Sequence, residues 1–108
     1  RLITNQRGVH RSSELLESAT TTGARALGWR HHGLMAGARA DFVAISLEST
    51  RLATFDPAHG AAHLVHSASA ADVRNVWVGG ERIVSDRTHR GLASIADALR
   101  TAVSAVLL

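Results

Sequence analysis

Gly33-Leu34-Met35-Ala36-Gly37-Ala38-Arg39-Ala40-Asp41-Phe42-Val43-Ala44-Ile45-Ser46-Leu47 is the stretch whose reading decides the fold. Two glycines four positions apart punctuate its first half, so 33–40 reads as a short strand and a turn. Asp41 then opens a run over 42–47, apolar except at Ser46, and the length and flanks of that run predict a largely buried strand. A short carboxylate at a turn-to-strand junction accepts backbone N–H bonds, which gives Asp41 a structural role in preference to that of a catalytic acid.

Working upstream, Leu15, Leu16, Ala19, Gly23, Ala26 and Leu27 recur at helical spacing and predict a helix over 13–27. Ser12 or Ser13 offers an N-cap oxygen, Glu14 and Glu17 suit the positive end of the helix dipole, and Gly28 is the expected left-handed stop. Thr20-Thr21-Thr22 weakens the helix, because β-branched side chains lose rotamer freedom there. Residues 1–11, with Arg1, Arg7 and Arg11, show no period and read as an extended entry.

Downstream, 48–57 reads as a loop ending at the single proline, Pro57, and 58–67 as a short helix. Val73-Arg74-Asn75-Val76-Trp77-Val78 is a strand, and Gly79-Gly80 a two-residue hairpin turn in which both positions can take positive φ. Glu81 to Ser85 returns as a strand, and 86–91 is a turn. Leu92, Ile95, Ala96, Leu99, Ala102, Val103, Val106 and Leu107 share one face of a terminal helix. The expected class is α+β, with about four strands. So small a sheet leaves open edges unless something else pairs with it.

Composition removes several functions. The chain has 108 residues, 12 Lys+Arg (all Arg) against 9 Asp+Glu, and a formal net charge of +3. The arginines are dispersed and only two Trp and two Phe are present, unlike a nucleic-acid-binding surface with clustered cations and stacking rings. No apolar run approaches the roughly 18–20 residues of a membrane span. No cysteine is present, which rules out a thiolate nucleophile or Cys-ligated metal and fits a cytoplasmic setting. Neither an initiator Met nor a signal-peptide pattern opens the chain, as expected of a segment inside a longer reading frame or of one that begins after processing.

Four groups invite a chemical reading. His59, His63 and His66 fall at i, i+4 and i+7, a spacing that can line up three imidazoles for a transition metal. A zinc-protease helix needs Glu directly after the first His, and Gly60 stands there. An exposed or half-buried helix face is the expectation for the trio. His31-His32 are adjacent, point apart and chelate poorly. Trp29 and Trp77 are expected to pack rather than to present a ligand platform. Gly33, Gly37 and Gly79-Gly80 lack the Lys-Ser/Thr of a phosphate loop, and no Gly-x-Ser-x-Gly elbow is present. From the residues alone, no catalytic, cofactor-binding or metal-binding position is assigned in this chain.

The order Gly23-Ala24-Arg25-Ala26-Leu27-Gly28, then Gly33 through Ile45, resembles the C-terminal signature of the amidohydrolase superfamily. There a helix ending Gly-Ala-x-x-Leu-Gly is followed by Gly-x-Leu-x-x-Gly-x-x-Ala-Asp-Leu-Val. Val73 through Asp86 resembles the closing hairpin of that family, and the likeness covers about 12–90. Within the superfamily the ending is most similar to formimidoylglutamate deiminase, with Asp86-Arg87-Thr88-His89 standing where that group has Asp-Gly-x-His. Guanine deaminase, imidazolonepropionase and chlorohydrolase-like members share much of this tail.

The resemblance implies a C-terminal portion of a metal-dependent hydrolase acting on C–N bonds. Residues 1–28 would end a (β/α)8 (TIM) barrel, 29–90 would form part of a composite β-sandwich with a short helix, and 91–108 a C-terminal helix. It implies hydrolysis of N-formimidoyl-L-glutamate to N-formyl-L-glutamate and ammonia, in histidine breakdown. The divalent metal, zinc in this reading, and all its ligands would lie upstream of Arg1. Partners would be the small-molecule substrate, the rest of the barrel and, as an option, a second copy. The rival reading, a free-standing binding module, is disfavoured by the open sheet edges and the lack of catalytic groups.

Overall fold

The computed structural model describes residues 8–91 and 94–107. Residues 1–7 of the entry expected over 1–11, Leu92 of the terminal-helix pattern, and Ala93 and Leu108 of the 91–108 segment lie outside them. The first helix runs α1 (Ser12–Glu17), a π-helical turn (Ser18–Thr22) and α2 (Gly23–Ala26). The π turn contains the three threonines, and Thr20 Oγ1 donates to the Leu16 carbonyl at 2.7 Å, competing with the backbone ladder. Gly28 stops the helix at φ +81°. The N-cap differs from expectation. It is Arg11, not Ser12 or Ser13, and the Glu14 carboxylate accepts the Arg11 N–H at 2.8 Å. Glu14 thereby satisfies the donor that a serine cap would have left to water.

Residues 33–40 form turns and bends without a strand, correcting the strand expected there. Gly33 at φ +105° and Gly37 at φ +82° both leave the extended region, so no ladder can run through them. β1 (Phe42–Ile45) follows, shorter than the 42–47 run. It is also less covered than expected, with Phe42 and Val43 exposed. A turn-rich loop leads to a 3-10 turn (Pro57–His59) and α3 (Gly60–His66). A second 3-10 turn (Ala70–Asp72) leads into β2 (Val73–Val78) and β3 (Glu81–Ser85), joined at Gly79 (φ +59°) and Gly80 (φ +83°). These two positive φ values are those the hairpin reading requires.

The turn expected over 86–91 holds a further strand, β4 (Thr88–His89). Asp86 (φ 46°) and Arg87 (φ 66°) supply a second tight reversal without glycine. The sheet is antiparallel in the order β1-β2-β3-β4, with Phe42 opposite Trp77, Val78 opposite Glu81, and a bulge between Val76 and Trp77. Phe42 and Trp77 stack at 4.5 Å between ring centroids, so Trp77 packs as expected. α1 rests on α3, and α4 (Ile95–Val106) ends the described chain.

Very little of this is interior. Among the described residues Leu52 is the one buried hydrophobic side chain, while Leu34, Met35, Val43, Leu99 and Val106 are among those well exposed. The accessible surface is 8676 Å². A compact monomer of this mass exposes roughly 5,800 Å².

Candidate functional site

The three helical histidines do not converge. His59 ends the 3-10 turn, outside α3, and its Nδ1 pairs with Asp56 Oδ2 at 2.9 Å. His63 tilts against Phe55 with 5.5 Å between ring centroids. His66 Nε2 lies 3.0 Å from Ser12 Oγ, tying α3 to α1. Each imidazole is committed to a different neighbour. Among the described residues no group of three or more His, Asp or Glu side chains could hold a metal ion. Among the described residues the donor sets do not fit a metal.

Asp56 escaped the sequence reading. It caps the 3-10 turn, accepting the Ala58 N–H at 2.9 Å. His59 first, then the Ala58 amide, hold its carboxyl below the ordinary value. The Arg39 N–H donates to the His31 carbonyl at 3.2 Å, and His32 Nδ1–H donates to the Trp29 carbonyl at 2.8 Å.

The decisive stretch closes on the hairpin. Asp41 Oδ1 accepts the Gly79 N–H at 2.5 Å, and the Gly80 N–H donates to the Ala40 carbonyl at 2.9 Å. Asp41 Oδ2 pairs with Arg39 Nε at 2.7 Å, and the Arg39 guanidinium lies 3.6 Å over the Trp29 ring. Trp29, Arg39, Asp41 and the Gly79-Gly80 turn thus form one latch from the end of the first helix to β2 and β3. Asp41 is structural, as its position implies.

A second hub was missed. Asp72 is 2% exposed, and both its oxygens accept from Arg51 Nη2 at 3.1 Å. Oδ2 also accepts the Ser69 N–H at 2.8 Å and the Ser69 hydroxyl at 3.0 Å. The Ser49 hydroxyl, then the Ser69 amide, Arg51 and the Ser69 hydroxyl hold this carboxyl far below the usual range, outweighing desolvation. Ser49 Oγ, buried beside this carboxylate, has no partner within hydrogen-bonding geometry, so its hydroxyl acts on Asp72 by proximity. The available signal was the capping-box spacing Ser69-x-x-Asp72. Arg51, 21 residues away, carried none.

An open cleft of about 360 Å³ beside α2 is lined by Arg25, Gly28, Trp29, Arg30 and His32. Its basic side chains lie at the helix C-terminus, where they complement the dipole. It brings together no nucleophile and base.

A family model described as "Amidohydrolase family" matches residues 1–83. The chain belongs to the amidohydrolase family. It is 38% identical over 80 residues to a 5-methylthioadenosine/S-adenosylhomocysteine deaminase of Natronomonas pharaonis, covering 73% of this chain and 18% of that protein. It is 40% identical over 76 residues to a protein of the same name from Desulfitobacterium hafniense, covering 68% and 17%. A 5'-deoxyadenosine deaminase of Methanosarcina mazei is 35% identical over 74 residues, covering 68% and 16%. The chain therefore spans about one sixth of the length of these curated relatives. Members of the family generally bind a divalent metal.

Proposed function

We propose that these residues are the C-terminal portion of a metal-dependent hydrolytic deaminase, serving as scaffold and not as catalytic site. The observation that carries this reading is the family match over 1–83, and the deaminase names of the relatives favour ammonia release within the family. Residues 1–28 would close a (β/α)8 barrel, 29–90 would supply part of a composite β-sandwich, and 91–108 would add a helix. The divalent metal, zinc in this proposal, would be held by other parts of the protein and would make hydroxide available near neutral pH. A cytoplasmic setting is proposed on the absence of cysteine.

The shared reaction is hydrolysis at an amidine-like carbon. Water adds its oxygen to that carbon, the bond to the amino nitrogen breaks, and ammonia leaves. Two substrate classes contain such a carbon. The names of the relatives favour a 6-aminopurine nucleoside such as 5'-methylthioadenosine. The stretches 23–28, 73–80 and 86–89 favour N-formimidoyl-L-glutamate, on their likeness to formimidoylglutamate deiminase. The test is ammonia release by the full-length protein with each compound. We expect turnover of one class, with kcat/KM at least about 100-fold above the other. No ammonia from either, with divalent metal supplied, contradicts the deaminase reading.

A further inference from the structure

The sequence disperses its arginines, and the fold gathers two of them. Arg25, in the last turn of the first helix, and Arg30, just past the Gly28 stop, line the open cleft of about 360 Å³ with Trp29 and His32. Most described arginines are committed to carboxylates: Arg39 to Asp41, Arg51 to Asp72, Arg74 and Arg87 to Asp86, Arg90 to Glu81, Arg100 to Asp97. Among the described residues Arg25 and Arg30 have no such partner, and no carboxylate lines the cleft. Capping of the helix does not occupy them either. The closing carbonyls of Gly23, Ala24 and Arg25 already accept the N–H groups of Leu27, Trp29 and Gly28 at 3.0–3.1 Å. The Trp29 carbonyl accepts His32 Nδ1–H at 2.8 Å. Both guanidinium forks therefore keep their donors unspent. The negative helix end amounts to roughly half a charge, which two fixed positive charges outweigh.

We propose that this cleft binds a dianionic oxyanion, a phosphate or sulfate group, held by Arg25 and Arg30 with Trp29 as the apolar wall. Each planar fork matches two oxygens of a tetrahedral anion, and two forks match both of its charges. A single carboxylate would leave one guanidinium unmatched. The cleft falls within the size range of small-molecule sites, which begins at about 300 Å³. It therefore has room for the free ion or for one carried on a small organic body lying against Trp29. The inference is independent of the deaminase reading and holds whether or not the protein releases ammonia.

The test is an NMR titration of the full-length protein carrying isotope-labelled tryptophan, with sulfate and separately with phenyl phosphate, against chloride at matched ionic strength. The reporter is the Trp29 indole N–H, assigned by its loss in Trp29→Phe. A saturable shift is expected. Arg25→Gln and Arg30→Gln should each raise the half-saturating concentration at least about 10-fold. Arg82→Gln, on β3 and outside the cleft, should match wild type. Arg25 and Arg30 are exposed, so both variants should keep the wild-type thermal midpoint. Phenyl phosphate binding at least about 10-fold tighter than sulfate assigns the anion to an organic carrier against Trp29. Equal binding assigns it to the free ion. No saturable shift with either probe overturns the proposal. A shift that survives in the double variant Arg25→Gln with Arg30→Gln overturns it too, because the anion then sits elsewhere in the protein.

Discussion

Two carboxylates, Asp41 and Asp72, hold loops to strands, and each makes a prediction. Asp41→Ala removes the acceptor for the Gly79 N–H and the partner of Arg39. Both groups can turn to water at this half-exposed site, so the expected loss is about 1 kcal/mol in urea unfolding. Asp72 has its pKa depressed in the fold, so the unfolded chain takes up the proton first as pH falls. Its contribution is complete above the unfolded value near 4 and is lost as pH drops toward the folded one. Urea unfolding at pH 7 and pH 3 should show wild type losing more stability than Asp72→Asn; equal losses contradict the hub. Arg87 sits at φ 66°, where glycine costs nothing, and its Nε donates to the Ala71 carbonyl at 3.2 Å. Relief of that backbone strain should outweigh one exposed hydrogen bond and an exposed 3.8 Å ion pair with Asp86, so Arg87→Gly should stabilise by about 0.5 kcal/mol in the same assay.

At the scale of elements, the β2–β3 hairpin was readable because the Gly79-Gly80 turn and the strand residues beside it act over neighbouring positions. Gly80→Val should therefore cost about 1 kcal/mol or more, seen as faster amide exchange in β2 and β3, since φ +83° suits no branched residue. The first helix was readable from period and stop, and its weak centre from the three threonines. What could not be read depends on distant partners. The strand expected over 33–40 failed because Gly33 and Gly37 both turn left-handed to bring Asp41 to Gly79, 38 residues away. β4 is two residues long, and no pattern of that length rises above noise. Of the site candidates, spacing placed His63 and His66 on one helix as found, whereas His59, expected there too, ends the preceding 3-10 turn. Their separate partners, Asp56, Phe55 and Ser12, belong to tertiary structure.

At the scale of the molecule, the surface is that of a component. The radius of gyration is 17.7 Å, against about 13 Å for a compact domain of this length. Leu34, Met35, Val43 and the α4 stripe stay exposed, and β1 is an edge with one neighbour. Such faces are stable when another layer covers them. The isolated polypeptide should accordingly be marginally stable. The chemistry points the same way, because its clearest polar clusters, around Asp41 and Asp72, hold loops and strands together. Ammonia release, measured side by side for the full-length protein and the 108-residue chain with added zinc, tests this most directly. Release from N-formimidoyl-L-glutamate or an adenosine-type nucleoside is expected of the full-length protein, and none of the 108-residue chain. Steady release by the 108-residue chain, abolished by His59→Ala with His63→Ala, would contradict it.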